Sequence, residues 1–140
     1  MTKIAINGYG RIGRNIVRVL RDLSLIHISE PTRPDLADPE DLFWLTQYDT
    51  ILGRYPGELE RTEKGFRIDG RDVAFFQEAD PTKLPWGELG VDLVIECTGI
   101  FTTGPKAQAH LDAGAKKVLI SAPAKEVDGT FVMGVNEHTY

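Results

Sequence analysis

The 140 residues, 41% hydrophobic and 26% charged, are enough for one globular domain around a single core and too few for two. A net charge of −5, with 16 basic residues scattered rather than striped, argues against nucleic acid as a main partner, and no apolar run reaches membrane-spanning length. Cys97 is the only cysteine, which rules out an internal disulfide, and the start of the chain carries no secretory signal pattern, so a cytoplasmic protein is expected.

In chain order, residues 3–7 form a short apolar run that leads into Gly8-Tyr9-Gly10-Arg11-Ile12-Gly13, after which Ile16, Val17, Val19 and Leu20 recur at helical spacing. This reads as strand, glycine turn, helix. Asp38-Pro39-Glu40 has the form of an N-cap with proline at the first helical position, and it predicts a helix over 39–47 with Leu42, Phe43 and Leu45 as a buried stripe. Trp44 and Trp86 are expected as core or turn anchors. Residues 66–68 and 73–76 flank Asp69-Gly70, a dipeptide that supplies the positive φ angles of a tight hairpin, so a short antiparallel ribbon follows. Residues 91–96 are a continuous apolar run with charges at the rim, as a central strand covered on both faces requires. Pro105 can open a helix that 107–113 continue and Gly114 ends in the left-handed conformation. Residues 117–121 read as the next strand and 130–135 as another.

Gly8, Gly10 and Gly13 fit G-x-G-x-x-G, in which the first glycine makes a tight turn, the second lets a pyrophosphate approach the backbone, and the third lets helix pack on strand. The helix N-terminus behind them offers free amides and a partial positive charge. With strand and helix signals alternating along the chain, the fold class is α/β: a Rossmann-type, doubly wound, mostly parallel sheet with a small antiparallel ribbon, forming one domain over residues 1–140. Such a site needs an acid roughly 20 residues further on to accept hydrogen bonds from the ribose. Asp35 stands near that spacing, and a carboxylate there repels the extra phosphate of NADP, which makes NAD the expected cofactor. Glu30 competes for the role, because the strand-like residues 23–28 would place Glu30 rather than Asp35 at their C-terminal end.

Ile6-Asn7-Gly8-Tyr9-Gly10-Arg11-Ile12-Gly13-Arg14 resembles the opening of the glyceraldehyde-3-phosphate dehydrogenases, whose usual aromatic between the glycines is phenylalanine. Four further segments agree in order: Gln47-Tyr48-Asp49-Thr50 with Gly53-Arg54-Tyr55-Pro56-Gly57; Asp80-Pro81 with Leu84-Pro85-Trp86-Gly87; Glu96-Cys97-Thr98-Gly99-Ile100-Phe101-Thr102; and Ser121-Ala122-Pro123-Ala124-Lys125 with Asp128-Gly129-Thr130-Phe131-Val132-Met133-Gly134-Val135-Asn136.

The resemblance implies a set of NAD contacts. Asn7, Gly8, Gly10 and Gly13 would form the turn, the amides of Arg11 and Ile12 would hold the pyrophosphate, and Asp35 the adenosine ribose. Ala79 would contribute a backbone carbonyl where the family often has a basic residue, while Thr98, Gly99 and Ser121 would line the nicotinamide side. Leu36, after Asp35, resembles the NAD-preferring members. The family oxidises a small phosphorylated aldehyde through an activated cysteine and works as a homotetramer. Its nucleophile lies in a Ser-Asn-Ala-Ser-Cys-Thr-Thr-Asn stretch, expected shortly after Tyr140, so no catalytic residue and no metal ligand is expected among these residues. By itself the chain would bind NAD weakly or not at all, without turnover. Cys97, His27, His110 and His138 are expected to pack or to face solvent. Two other readings stay open: the closely similar erythrose-4-phosphate dehydrogenases, and a non-catalytic NAD-binding module.

One stretch departs from the resemblance. Where the family has a short turn and a β-branched strand ending in Asn-Asp, residues 23–33 read Leu-Ser-Leu-Ile-His-Ile-Ser-Glu-Pro-Thr-Arg. This is similar to the in-frame translation of a transposase adapter used in sequencing libraries, and it is expected to be foreign to the domain. Leu23, Leu25, Ile26 and Ile28 can still form a strand beside the first one, whereas Pro31 and Pro34 cannot donate ladder hydrogen bonds and should end it.

Overall fold

The structure, a computed structural model, describes residues 2–20, 26–29 and 39–140. It is built on β1 (Ile4–Asn7), α1 (Arg11–Val19), β2 (Ile26–Ser29), α2 (Pro39–Gln47), β3 (Tyr48–Asp49), β4 (Gly53–Arg54), β5 (Leu59–Thr62), β6 (Gly65–Ile68), β7 (Arg71–Phe76), α3 (Trp86–Leu89), β8 (Leu93–Glu96), α4 (Gly104–Asp112) and β9 (Lys117–Ile120). Seven strands form one sheet in the order β5-β6-β7-β2-β1-β8-β9, and β3 pairs with β4 in a separate hairpin. The pairs β7-β2, β2-β1, β1-β8 and β8-β9 are parallel, whereas β5-β6 and β6-β7 are antiparallel. The α/β fold with its mostly parallel sheet and antiparallel ribbon is therefore as the sequence implies.

Alternation along the central strands divides the core between the two faces of the sheet. Ile4 and Ile6 of β1 join Tyr9, Val17 of α1, Leu42 of α2, Phe66, Val73 and Ile95 in one buried cluster. Ala5 points the other way, into a cluster with Leu84, Trp86, Val91, Val94 and Ala115. Each fully buried aliphatic side chain of these layers contributes about 1.5–3 kcal/mol. β1 takes all its hydrogen bonds from two parallel neighbours, Ile4 to Asn7 pairing with Ile26 to Ser29 on one side and Leu93 to Glu96 on the other.

The ribbon forms as its dipeptide requires. Ile68 pairs with Arg71, and the two loop residues, Asp69 and Gly70, have φ of 48° and 77°, the left-handed pair of a type I′ turn. β7 is long enough to serve twice, pairing antiparallel with β6 near its start and parallel with β2 at Phe75 and Phe76.

Four expectations change. Residues 130–135 form no strand: Asn136 Oδ1 takes the Val132 amide at 2.7 Å and the Val135 amide donates to the Val132 carbonyl, so the backbone donors are used locally in a turn. Leu45 faces outward, because the inner face of α2 follows the i, i+4 step from Leu42 to the fully buried Thr46. Val19 is exposed on α1 while its neighbour Arg18 is buried, donating to the carbonyls of Thr46 at 3.0 Å and Gly53 at 2.9 Å. Trp86 is a core residue, but Trp44 is half exposed and stacks on Tyr48.

Candidate functional site

Parallel strands all end on one edge of the sheet, and a crevice opens there where consecutive connections leave in opposite directions. From β1 the chain proceeds to β2 and β7 on one side and later returns to β8 and β9 on the other, so this point lies between β1 and β8. The residues that follow these two strands are Gly8 and Cys97-Thr98.

The three glycines differ in what a side chain would meet. Gly8 has φ +96°, and a Cβ would lie 2.6 Å from the Thr98 nitrogen and 2.8 Å from Thr98 Cγ2, so the turn rests against the loop after β8. At Gly13 a Cβ would collide with the Gly8 carbonyl oxygen and come within 3.1 Å of Ile6 Cγ2, which is the packing of α1 on β1. Gly10 alone has nothing within 4 Å. Of the three, this is the position where the backbone is open. Gly10 is the N-cap of α1 and has no side-chain cap, and no acid stands in the first turn. The amides of Arg11, Ile12 and Gly13, the orphan donors of a helix start, therefore lie beside this opening with the positive end of the helix behind them. In sign, that helix start suits a phosphate.

Tyr9, between the glycines, is fully buried. The Thr46 hydroxyl donates to the Leu42 carbonyl at 2.7 Å, so at 2.9 Å it accepts from the Tyr9 hydroxyl, which fastens the turn to α2. Burial pushes the Tyr9 phenol up to about 12, the Thr46 hydrogen bond opposing in part.

Asn7 does not face the crevice. Its fully buried amide donates to Glu96 Oε2 at 2.5 Å, while its main-chain carbonyl accepts from the Cys97 amide at 2.7 Å. Glu96 is itself buried, at 1% exposure, and accepts from the Thr98 amide at 2.7 Å, from the Thr98 hydroxyl and from His110 Nε2 at 3.0 Å. The Thr98 hydroxyl also accepts from the Ile100 amide at 3.0 Å, so this side chain is fully engaged within the protein. Thr98 thus meets the site through its backbone. Neither Glu96 nor His110 was expected to take part. The sign in the sequence was an acid closing an apolar strand, since acids are almost never fully buried unless paired.

The remaining expected residues lie along the same edge. Gly99 is exposed with φ +73° and open space beside it, Ser121 follows β9 with its amide on the Glu96 carbonyl at 3.0 Å, and Ala79 is exposed beyond the end of β7. Asp35 and Glu30 lie outside the described residues, as do Pro31, Pro34 and the N-cap Asp38. Cys97 is half-buried, and burial pushes its thiol up; a hydrogen bond with Ser121 offsets this in part and the nearby Glu96 adds to it. This is the reverse of an activated nucleophile.

Comparison with known proteins gives the family. The family model described as glyceraldehyde 3-phosphate dehydrogenase, NAD binding domain, matches residues 2–104. The chain is 50% identical over 141 residues to the plasmid-borne glyceraldehyde-3-phosphate dehydrogenase of Cupriavidus necator, covering 96% of this chain and 40% of that protein. It is 47% identical to the glyceraldehyde-3-phosphate dehydrogenase of Thermotoga maritima (98% and 41%) and 52% identical to that of Clostridium pasteurianum (97% and 40%). The chain thus spans about 40% of the length of the curated relatives it matches.

Proposed function

Since the chain belongs to the glyceraldehyde-3-phosphate dehydrogenase family, we propose that these residues are the NAD-binding half of a phosphorylating dehydrogenase acting on glyceraldehyde 3-phosphate. The observation that carries the reading is the open space at Gly10, flanked by two glycines that are sterically required for the turn and for the helix packing. The amides of Arg11 and Ile12 hold the pyrophosphate, Asp35 accepts from the adenosine ribose, the Ala79 carbonyl faces the adenosine side, and Thr98, Gly99 and Ser121 wall the nicotinamide side. NAD bound there supplies the hydride acceptor. The chain's own part is to fix its position and to exclude a 2′-phosphate by the charge of Asp35.

We do not assign the reacting thiol to Cys97. Its thiol is pushed up rather than down, and among the described histidines His110 is committed to Glu96 and Trp86. The oxidation of a small phosphorylated aldehyde, the homotetramer and the cytoplasmic setting are proposed for the whole protein. Among the described residues no helix is long and apolar enough to cross a membrane.

The pyrophosphate cradle is made from these residues alone, so weak binding is the expected outcome. Calorimetric titration with NAD and NADP tests it. NAD should bind and NADP should bind at least tenfold more weakly, with Asp35→Ala narrowing the difference. Equal affinity for both in the unaltered chain would contradict the role of Asp35.

A further inference from the structure

We propose that Glu96 is a positioning residue of the dinucleotide site: by holding Thr98 it sets the position of the glycine turn, and His110 and Trp86 hold Glu96 in its turn. The inference rests on the NAD reading above and adds to it residues that never touch the cofactor.

Four donors converge on this one carboxylate. Oε1 takes the amide and hydroxyl of Thr98, and Oε2 takes Asn7 Nδ2 and His110 Nε2. These come from the end of β1, the loop after β8 and the helix α4, the three elements that meet beside the turn. The histidine is itself oriented. An indole nitrogen can only donate, so the 3.2 Å contact from Trp86 Nε1 leaves His110 Nδ1 as the acceptor and places the imidazole proton on Nε2, directed at Glu96. Asn7 Nδ2, 3.3 Å from His110 Nε2, is then a second donor aimed at the same oxygen and not a partner of the ring. His110 and Trp86 are both fully buried, so water cannot substitute for a lost bond.

Movement of Thr98 cannot leave the turn unaffected. At Gly8 the backbone passes so close that a Cβ would lie 2.6 Å from the Thr98 nitrogen. The side that Glu96 holds is therefore one wall of the crevice, and the turn bearing Gly10 leans on it. A glutamine at 96 has one acceptor oxygen and an amino group, and in either orientation that group faces donors: the two from Thr98, or those of Asn7 and His110.

The test is titration of the 140-residue chain with NAD to millimolar concentration, followed by the backbone amide resonances of residues 8–13 and 98–99. In the unaltered chain these signals should move and saturate. Glu96→Gln should weaken the Kd at least tenfold among folded molecules. Should Glu96→Gln fail to fold, Trp86→Phe decides: phenylalanine occupies the same core position without the indole N–H that orients His110 toward Glu96, and it should weaken NAD at least threefold among folded molecules. A purely structural role would lower the unfolding temperature of these variants and leave the Kd unchanged, which overturns the proposal. Absence of any response to NAD in the unaltered chain overturns the reading that the cradle made by these residues alone binds NAD, and the proposal with it.

Discussion

A methyl group distinguishes the three glycines more sharply than any larger change. Gly8→Ala adds a Cβ 2.6 Å from the Thr98 nitrogen at a left-handed φ, and Gly13→Ala drives one into the Gly8 carbonyl; each should destabilise the fold by about 2 kcal/mol or more in urea unfolding. Gly10→Ala meets nothing within 4 Å, and its φ of −70° suits alanine, so its stability should stay within about 1 kcal/mol of the unaltered chain. The same methyl fills the space the pyrophosphate needs, and NAD affinity should fall at least tenfold. A stable Gly10→Ala protein that binds NAD normally would remove the cradle from the account. Tyr9 offers a second residue-scale test. Tyr9→Phe should cost about 1 kcal/mol at neutral pH through the lost hydrogen bond to Thr46. The folded phenol titrates near 12 against an ordinary 10.0, so the neutral form is favoured in the fold. Its contribution is complete below pH 10 and is lost as pH rises toward 12, because the unfolded chain releases that proton first, at about 1.4 kcal/mol per unit of separation. Unfolding followed against alkaline pH should show this loss in the unaltered chain and a smaller one in Tyr9→Phe.

At the scale of elements, what the sequence made legible followed from periodicity and turn chemistry. The Asp69-Gly70 hairpin, α2 over Pro39–Gln47, the start of α4 at a proline and its end before Gly114 (φ +99°) all form where the residue types place them. The departures occur where tertiary contacts outweigh pattern. Arg18 is buried because three loop and helix carbonyls, those of Thr46, Gln47 and Gly53, surround its guanidinium, and no spacing rule carries that information. Residues 130–135 have strand-like composition, yet composition cannot supply a partner edge. β2 is the reverse case. Ile26–Ser29 pairs on both sides although residues 23–33 resemble adapter sequence, since a few apolar β-branched residues beside a buried strand suffice to extend a sheet. We propose that residues 23–33 are foreign to the gene. Resequencing the source DNA across this stretch should recover a β-branched strand ending in Asn-Asp, and recovery of the same codons would refute the idea.

For the whole molecule, the glycine turn was readable in outline because glycine spacing reports main-chain shape, and the proposed cradle is made of main-chain groups. The glycine motif forms a turn at the end of β1, and the strand order brings Thr98, Gly99 and Ser121 to the same edge. What stayed hidden was the buried support behind them. Trp86, Glu96 and His110 are 10 to 24 residues apart in sequence and converge only once α4 packs on the sheet. Outside the site, Trp44, Leu45, Tyr48, Ile51 and Leu52 leave apolar surface exposed around α2 and the β3–β4 hairpin. The most direct measurement for the central claim, a dinucleotide seated on the glycine turn, is a 1H–15N titration of the 140-residue chain with NAD. The account predicts saturable shifts led by the amides of Arg11 and Ile12, with Gly10, Thr98 and Gly99 following. Shifts confined to other residues, or none at millimolar NAD, would contradict it.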